Sequence, residues 1–271
     1  MTLRAAMGAA PANIQSMNIV LIGAGNLATN LGKALKQAGH TIRQVYSHTM
    51  ASAEKLASIL GCPATNDLQQ LADAEVYILS IKDAALQSVV ATVCKQHPEA
   101  VFLHTAGSMP MDVFRDQAQH YGVLYPMQTF SKAREVDFRI IPTFIEWNDE
   151  KAHQTIFSLV QSVSNRVYPL SSEDRKYLHL SAVWACNFAN HCYDVASKLL
   201  KAHHLPFDVM LPLIDETARK VHELSPREAQ TGPAVRYDEN VIHAQAELLK
   251  ANPTLQELYL LLSKSIHEIK E

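Results

Sequence analysis

The chain has 271 residues, 48% of them apolar, which is enough to build one large hydrophobic core or two ordinary ones. A formal charge of -3, with Lys and Arg scattered along the chain, excludes a general electrostatic case for nucleic acid or an anionic membrane surface as partner. Cys62, Cys94, Cys186 and Cys192 show no C-x-x-C spacing and sit among apolar neighbours, which fits reduced core thiols of a cytoplasmic protein and opposes a disulfide framework or a zinc site.

Residues 1–16, MTLRAAMGAAPANIQS, lack the continuous apolar core of a signal peptide and read as a disordered lead, with Met17 as an alternative start. Short β-branched runs then alternate with helical periods. Strands are expected over 18–22, 42–47, 75–81, 100–104, 122–125, 140–147 and 166–168, the pattern of βαβ units around a mostly parallel sheet. Beyond about Ser171 the strands stop. Helices are expected over 173–202, 207–224, 238–251 and 253–269, punctuated by Pro206, Pro226, Pro233 and Asn252-Pro253. The fold class is therefore α/β, a Rossmann-type domain over 17–170 followed by an all-helical domain over 171–271.

The stretch VLIGAGNLATNLGKAL sets Gly23, Gly25 and Ala28 in G-x-G-x-x-A spacing, directly after an apolar strand and directly before an amphipathic helix. Gly23 permits a tight turn, Gly25 lets backbone approach a pyrophosphate, and Ala28 lets the helix pack closely on the strand. Asn26 and Leu27 open the helix, whose first N–H groups are free to bind an anion. NAD-binding chains place an acid roughly 20 residues on, at the ribose hydroxyl. Here no carboxylate occurs between Gly23 and Glu54, and the second strand ends in Ser47, His48 and Thr49. Hydroxyls and a partly charged imidazole favour a 2′-phosphate, so the expected cofactor is NADP, with NAD less favoured; the alternative is an ordinary polar loop.

Two further loops follow later strands and should line the same crevice. The first carries Ile81, Lys82 and Asp83, with Asp83 expected to cap the next helix. The second carries His104, Thr105, Ala106, Gly107 and Ser108, whose small residues admit a nicotinamide ring and a substrate close to backbone.

Three motifs, GVLYPMQTFSK at 122–132, YLHLSAVWACNF at 177–188 and TGPAVRYD at 231–238, resemble a bacterial NADP oxidoreductase family with a C-terminal helical domain of unassigned function. The likeness runs from Met17 onward. The architecture is more distantly similar to the 6-phosphogluconate dehydrogenase-like superfamily, which includes β-hydroxyacid dehydrogenases, ketopantoate reductase and pyrroline-5-carboxylate reductase. That resemblance implies hydride transfer to or from a small carbonyl or hydroxy acid between the two domains, and a homodimer formed by the helical one. In the hydroxyacid dehydrogenases a helix carries Lys and, four residues later, Asn. If Asn187 is that Asn, the Lys position holds Val183, and Lys176 could substitute only by reaching along the helix.

At 100° per residue, Lys176, His179, Val183, Asn187, Asn190 and Asp194 share one helix face. A stripe of His and Asn fits a cleft or a polar subunit contact; the alternative is that His179 and Asn187 merely satisfy buried hydrogen bonds. His179 is the candidate proton donor and Asn187 the substrate-orienting residue; two turns apart, about 12 Å at 1.5 Å per residue, they cannot touch one small atom together. Gln128, Gly107 and Ser108 are candidate substrate contacts. Arg236 offers a fork for a carboxylate or, equally, pairs with Asp238, the expected N-cap of the next helix. The seventeen residues Tyr177–Tyr193 carry no Asp, Glu, Lys or Arg, and His179, Asn187, Asn190 and His191 interrupt them, so the segment reads as a helix buried in protein and not a membrane span. The leading expectation is an NADP(H)-dependent enzyme for a small-molecule substrate. Two rivals stay open: a dinucleotide-binding protein without chemistry, and a dimer module with a vestigial glycine loop.

Overall fold

The computed structural model of the protein describes residues 15–268, so most of the expected lead lies outside them. Of the lead only Gln15 and Ser16 are described, and the Ser16 hydroxyl donates to the Gly39 carbonyl at 2.8 Å. The chain divides into two compact units, one ending at His191 and the other starting at Cys192.

In the first unit, β1 (Asn18–Ile22), β2 (Thr41–Tyr46), β3 (Ala64–Thr65), β4 (Val76–Leu79), β5 (Val101–His104) and β6 (His120–Pro126) run parallel. β7 (Thr143–Trp147) reverses against β6, and β8 (Val167–Pro169) runs parallel to β7. The sheet order is β3-β2-β1-β4-β5-β6-β7-β8. The order reverses between β1 and β4, and ligands of such sheets gather at that point beyond the strands' carboxyl ends. Every strand residue from Ile19 to Ile22 is buried, as helices on both sheet faces require. The period of two sends Ile19 and Leu21 to a core with α1 (Asn26–Gln37), α2 (Met50–Leu60) and α4 (Glu150–Gln161), and Val20 and Ile22 to a second core with α3 (Asp83–Val93). The two-residue β3 was not legible as a strand, because two residues carry no period.

The long helix expected over 173–202 is three consecutive segments: α5 (Ser172–Ala182), a π-helical stretch (Val183–Phe188) and α6 (Ala189–Ala202). The i→i+5 bonds of the π stretch widen the turn, so the 100° phase that aligned His179 with Asn187, Asn190 and Asp194 does not carry across it. That shared face is corrected: the phase holds for Lys176 and His179 within α5 and is lost from Val183 onward. Nor is the segment buried in the single chain. Tyr177, Leu180, Trp184 and Phe188 are 66%, 52%, 59% and 46% exposed.

The second unit holds the end of α6, then α7 (Leu211–Lys220), α8 (Pro226–Ala229), α9 (Pro233–Arg236), α10 (Glu239–Leu248) and α11 (Pro253–Glu268). Pro at the first turn starts α7, α8 and α9, where its missing N–H costs nothing. The short α8 and α9 replace expected loop, and α8 is fixed by a capping box from Ser225 to Glu228. α11 packs on α9 and α10, where Ala234, Ile242 and Ala246 are buried and Tyr237 stacks on His267. No helix among the described residues is long and apolar enough to cross a membrane.

Candidate active site

The glycine turn lies at the sheet's switch point. Gly23 has φ +118°, its N–H donates to the Tyr46 carbonyl at 2.8 Å, and a Cβ there would sit 2.2 Å from the Ser80 carbonyl oxygen. Only glycine fits. Gly25 is the N-cap of α1, and a Cβ there would meet nothing within 4 Å. The space above Gly25 is open, no side chain caps the helix, and its first turn holds no acid. Free N–H donors with open space before them and no competing carboxylate fit a pyrophosphate. Ala28 is fully buried against the sheet core. Asn26 is spoken for on its amide side: Nδ2 donates to the Phe130 carbonyl at 2.9 Å, and Asn30 repeats the bond to Ser131 at 3.1 Å. Leu27 is half-buried on the core.

At the end of β2, Ser47 is half-buried while His48 and Thr49 are exposed, and Thr49 is the N-cap of α2 with its hydroxyl on Ser52 at 2.8 Å. Ile81 is half-buried beside Gly23 and Lys82 is exposed. The expected cap by Asp83 is corrected: Lys82 holds the N-cap position, Asp83 is the first residue of α3, and its carboxylate accepts from the Ser108 hydroxyl instead. A carboxylate in the first helical turn still favours the helix dipole.

The loop after β5 is shaped by His104. Its Nδ1 accepts from the Ala106 N–H at 3.2 Å, and its Nε2 lies 3.3 Å from the Pro110 carbonyl. The ring is fully buried, and burial drives its pKa down to about 3, with the Arg175 charge acting in the same direction. His104 is thus neutral and carries its proton on Nε2. Thr105 donates to the Ser80 hydroxyl at 3.1 Å, tying this loop to the one after β4.

Gly107 is buried, and α5 explains why. A Cβ on Gly107 would lie 2.5 Å from His179 Nδ1 and 2.6 Å from its Cγ. His179 therefore rests directly on the loop after β5. Its Nδ1 is 2.9 Å from the hydroxyl of Tyr125, the penultimate residue of β6, with the rings edge-on. Burial raises the Tyr125 phenol above its usual range, while the Arg175 charge lowers it in part.

Arg175, one turn before His179, is 1% exposed. Its Nη1 donates to Glu146 Oε2 at 2.6 Å, its Nη2 donates to the Met109 carbonyl at 2.6 Å, and its Nε is buried without a partner among the described residues. Glu146 also accepts from the Ser172 N–H and hydroxyl, at 2.9 and 2.7 Å. This network pins the start of α5 to β7 and to the loop after β5, and so fixes where His179 stands. Arg175, Glu146 and Tyr125 were not singled out in the sequence. Within SEDRKYLH, Arg175 reads as one more surface charge; only its pairing with a carboxylate on a distant strand distinguishes it.

The other candidates lie apart from this cluster or outside the same unit. Lys176 is exposed and paired with Glu173 at 2.8 Å, a contact that raises its pKa. Asn187 is exposed on the π stretch. Gln128 is exposed, its Oε1 accepting from the Thr129 N–H at 2.8 Å. Arg236 is exposed at the end of α9 in the second unit and forms no ion pair among the described residues; Asp238 is the N-cap of α10, without a side-chain bond to it.

A 3-2-1-4-5-6 parallel order with a glycine turn at its switch point defines a Rossmann-type dinucleotide-binding domain, and a His–Tyr pair stands beside its loop after β5. Residues 18–106 match the family described as NADP oxidoreductase coenzyme F420-dependent, and residues 141–266 match a domain of unknown function, DUF2520. A Bacteroides fragilis protein named as a "putative NADP oxidoreductase" is 54% identical over 95% of this chain and all of its own, with a TM-score of 0.92. The chain belongs to this NADP oxidoreductase family. The Myxococcus stipitatus imine reductase in complex with NADP+ shares the fold at 12% identity, with 93% of each chain covered and a TM-score of 0.66. The Coxiella burnetii pyrroline-5-carboxylate reductase does so at 17% identity, covering 94% of this chain and all of that one, with a TM-score of 0.56. No protein of curated function matches the sequence.

Proposed function

We propose that this oxidoreductase moves a hydride between NADP(H) and a small carbonyl or hydroxy-acid substrate, with His179 as the proton-exchanging residue. The observation that carries this reading is the seat of His179 on Gly107, in the loop that follows β5. Gly25, Asn26, Leu27 and Ala28 hold the pyrophosphate on the backbone N–H groups that open α1, and Gly23 makes the turn that sets them there. Ser47, His48 and Thr49 take the 2′-phosphate, and Ile81, Lys82, Thr105 and Ala106 line the rest of the crevice. Bound NADPH supplies the hydride for reduction. As the new C–H bond forms, the carbonyl π pair moves to oxygen, and the His179 imidazolium gives that oxygen its Nε2 proton, leaving a neutral ring that takes up a proton from solvent. Gly107 and Ser108 border the substrate, and Asn187 serves as its orienting amide.

The helical part, from about Ser171, is read as the substrate and dimerisation domain of a cytoplasmic homodimer. The exposed apolar side chains of α5 and the π stretch support the dimer. Val183 at the lysine place of the hydroxyacid dehydrogenases, and Lys176 turned to Glu173, favour the second reading, a dinucleotide binder without chemistry. One experiment separates them. Fluorescence titration should give tighter binding of NADPH than NADH, and NADPH oxidation over a panel of 2-keto acids, cyclic imines and aldehydes should reveal turnover. Tight NADPH binding with no turnover across the panel supports the binder; equal or weaker NADPH affinity overturns the cofactor assignment.

A further inference from the structure

We infer that Tyr125 is a positioning residue that sets the tautomer of His179, so that His179 meets its ligand as an Nε2–H donor and the ligand atom it faces is a hydrogen-bond acceptor. This rests on His179 being the group that faces the substrate, but the tautomer itself does not depend on that reading. Tyr125 is 9% exposed, and His179 Nδ1, at 2.9 Å, is the one side-chain partner of its hydroxyl among the described residues. A buried phenol needs an acceptor for its proton. A phenol is a stronger donor than a neutral imidazole N–H, and an imidazole nitrogen is a stronger acceptor than a phenol oxygen. The proton on the hydrogen bond therefore belongs to Tyr125, Nδ1 is the acceptor, and the ring's own proton lies on Nε2.

The surroundings hold this arrangement in place. Gly107 closes the Nδ1 side of the ring, where a single added carbon would collide. Nε2 has no partner among the described residues and is the ring atom left to a ligand. The charge that acts on Tyr125 is Arg175 on α5, held by Glu146 on β7; Tyr168 on β8 packs in the same cluster as Tyr125. None of them is bonded to Nδ1 in place of Tyr125. When the ring takes a second proton, Nδ1–H donates to the phenol oxygen and Nε2–H is kept. His179 is thus a donor at Nε2 in both charge states. A carbonyl or alkoxide oxygen, or an imine nitrogen, fits opposite it; an ammonium or an amide N–H does not.

The test is a long-range 15N–1H correlation spectrum of the full chain labelled with 15N-histidine, read at a pH where the His179 ring is neutral and assigned with His179→Gln. The wild type should show one neutral tautomer, with the proton on Nε2. Tyr125→Phe, which keeps the ring and removes the hydroxyl, should give exchange-averaged shifts of a tautomer mixture. An Nδ1–H ring in the wild type, or unchanged shifts in Tyr125→Phe, overturns the inference; if Tyr125→Phe does not fold, the wild-type spectrum still decides. On any carbonyl compound that the enzyme turns over, Tyr125→Phe should lower kcat about tenfold with KM for NADPH unchanged. Unaltered kcat in a variant that has lost the tautomer overturns the positioning role. No turnover by the wild type, with the Nε2–H tautomer present, removes the catalytic reading of His179 and leaves the tautomer standing.

Discussion

The two units bury their apolar residues very differently. In the first, alternate residues of every central strand are covered from both sides by the unit's own helices. In the second, the buried apolar residues among those described are three: Ala234, Ile242 and Ala246. Leu199, Leu205, Val209, Leu211, Leu213, Leu248 and Leu261 are each at least 42% exposed. Fully burying one such side chain stabilises by about 1.5–3 kcal/mol, a gain the second unit mostly forgoes in a single chain. The sheet unit buries its apolar residues within itself, whereas the helices leave apolar surface bare in the single chain, the surface that the homodimer proposed above would cover.

The contrast breaks first at the helices. Trp184→Asp and Leu213→Glu, made separately, should each shift light-scattering mass from dimer to single chain. A charge in a desolvated contact costs about 2 kcal/mol or more, roughly a thirtyfold weaker dimer. A wild type that is monomeric at micromolar concentration would leave the bare apolar surface unexplained by self-association.

Within the sheet unit the largest loss should come from Arg175→Met, which strands Glu146 without its cation and costs about 3–5 kcal/mol in urea unfolding. Lys176→Met, one residue on, removes an exposed pair and should leave the transition unmoved. Equal losses from the two would show that burial does not decide the matter.

Gly23→Ala should cost about 2 kcal/mol or more through its φ and the contact with Ser80. Gly25→Ala, in open space, should leave unfolding unchanged and weaken NADPH binding. Thermal melts with and without NADPH measure both.

Acid gives the smallest effect. Folding lowers the His104 pKa from an ordinary 6.5 to about 3, so between those values the unfolded chain binds the extra proton. His104 thus opposes unfolding fully above pH 6.5, and that contribution falls as pH drops toward 3. About 2 kcal/mol should be lost between pH 6.5 and pH 5, read by urea unfolding. His40, lowered by burial against a weaker raising by Glu75, acts with the same sign. His104→Gln should flatten the slope; an unchanged slope would assign it to other groups.

The sheet was legible because β-branched runs and a strand–glycine–helix signature are local signals, and Gly23, Gly25 and Ala28 behave as their spacing implies. His179 was legible as a polar residue in an uncharged run. Its setting was not. Tyr125 and Glu146 come from strands 54 and 33 residues away in number, and no local period joins them to α5. The π stretch was illegible for a related reason: no Gly or Pro in Val183–Phe188 marks a break, and only the bonds across the turn depart from an α-helix.

The amides of Asn26 and Asn30 hold the carbonyls of Phe130 and Ser131, Lys33 meets Glu135 at 3.6 Å, and Phe130 stacks on Phe138. The connection between β6 and β7 is thereby laced to the first helix after the glycine turn. A protease that cuts between Met127 and Asp137 should consequently work at a rate governed by that helix. Cleavage there becomes a gauge of what happens at Gly25, readable on a gel without a substrate, and Asn26→Ala should quicken it.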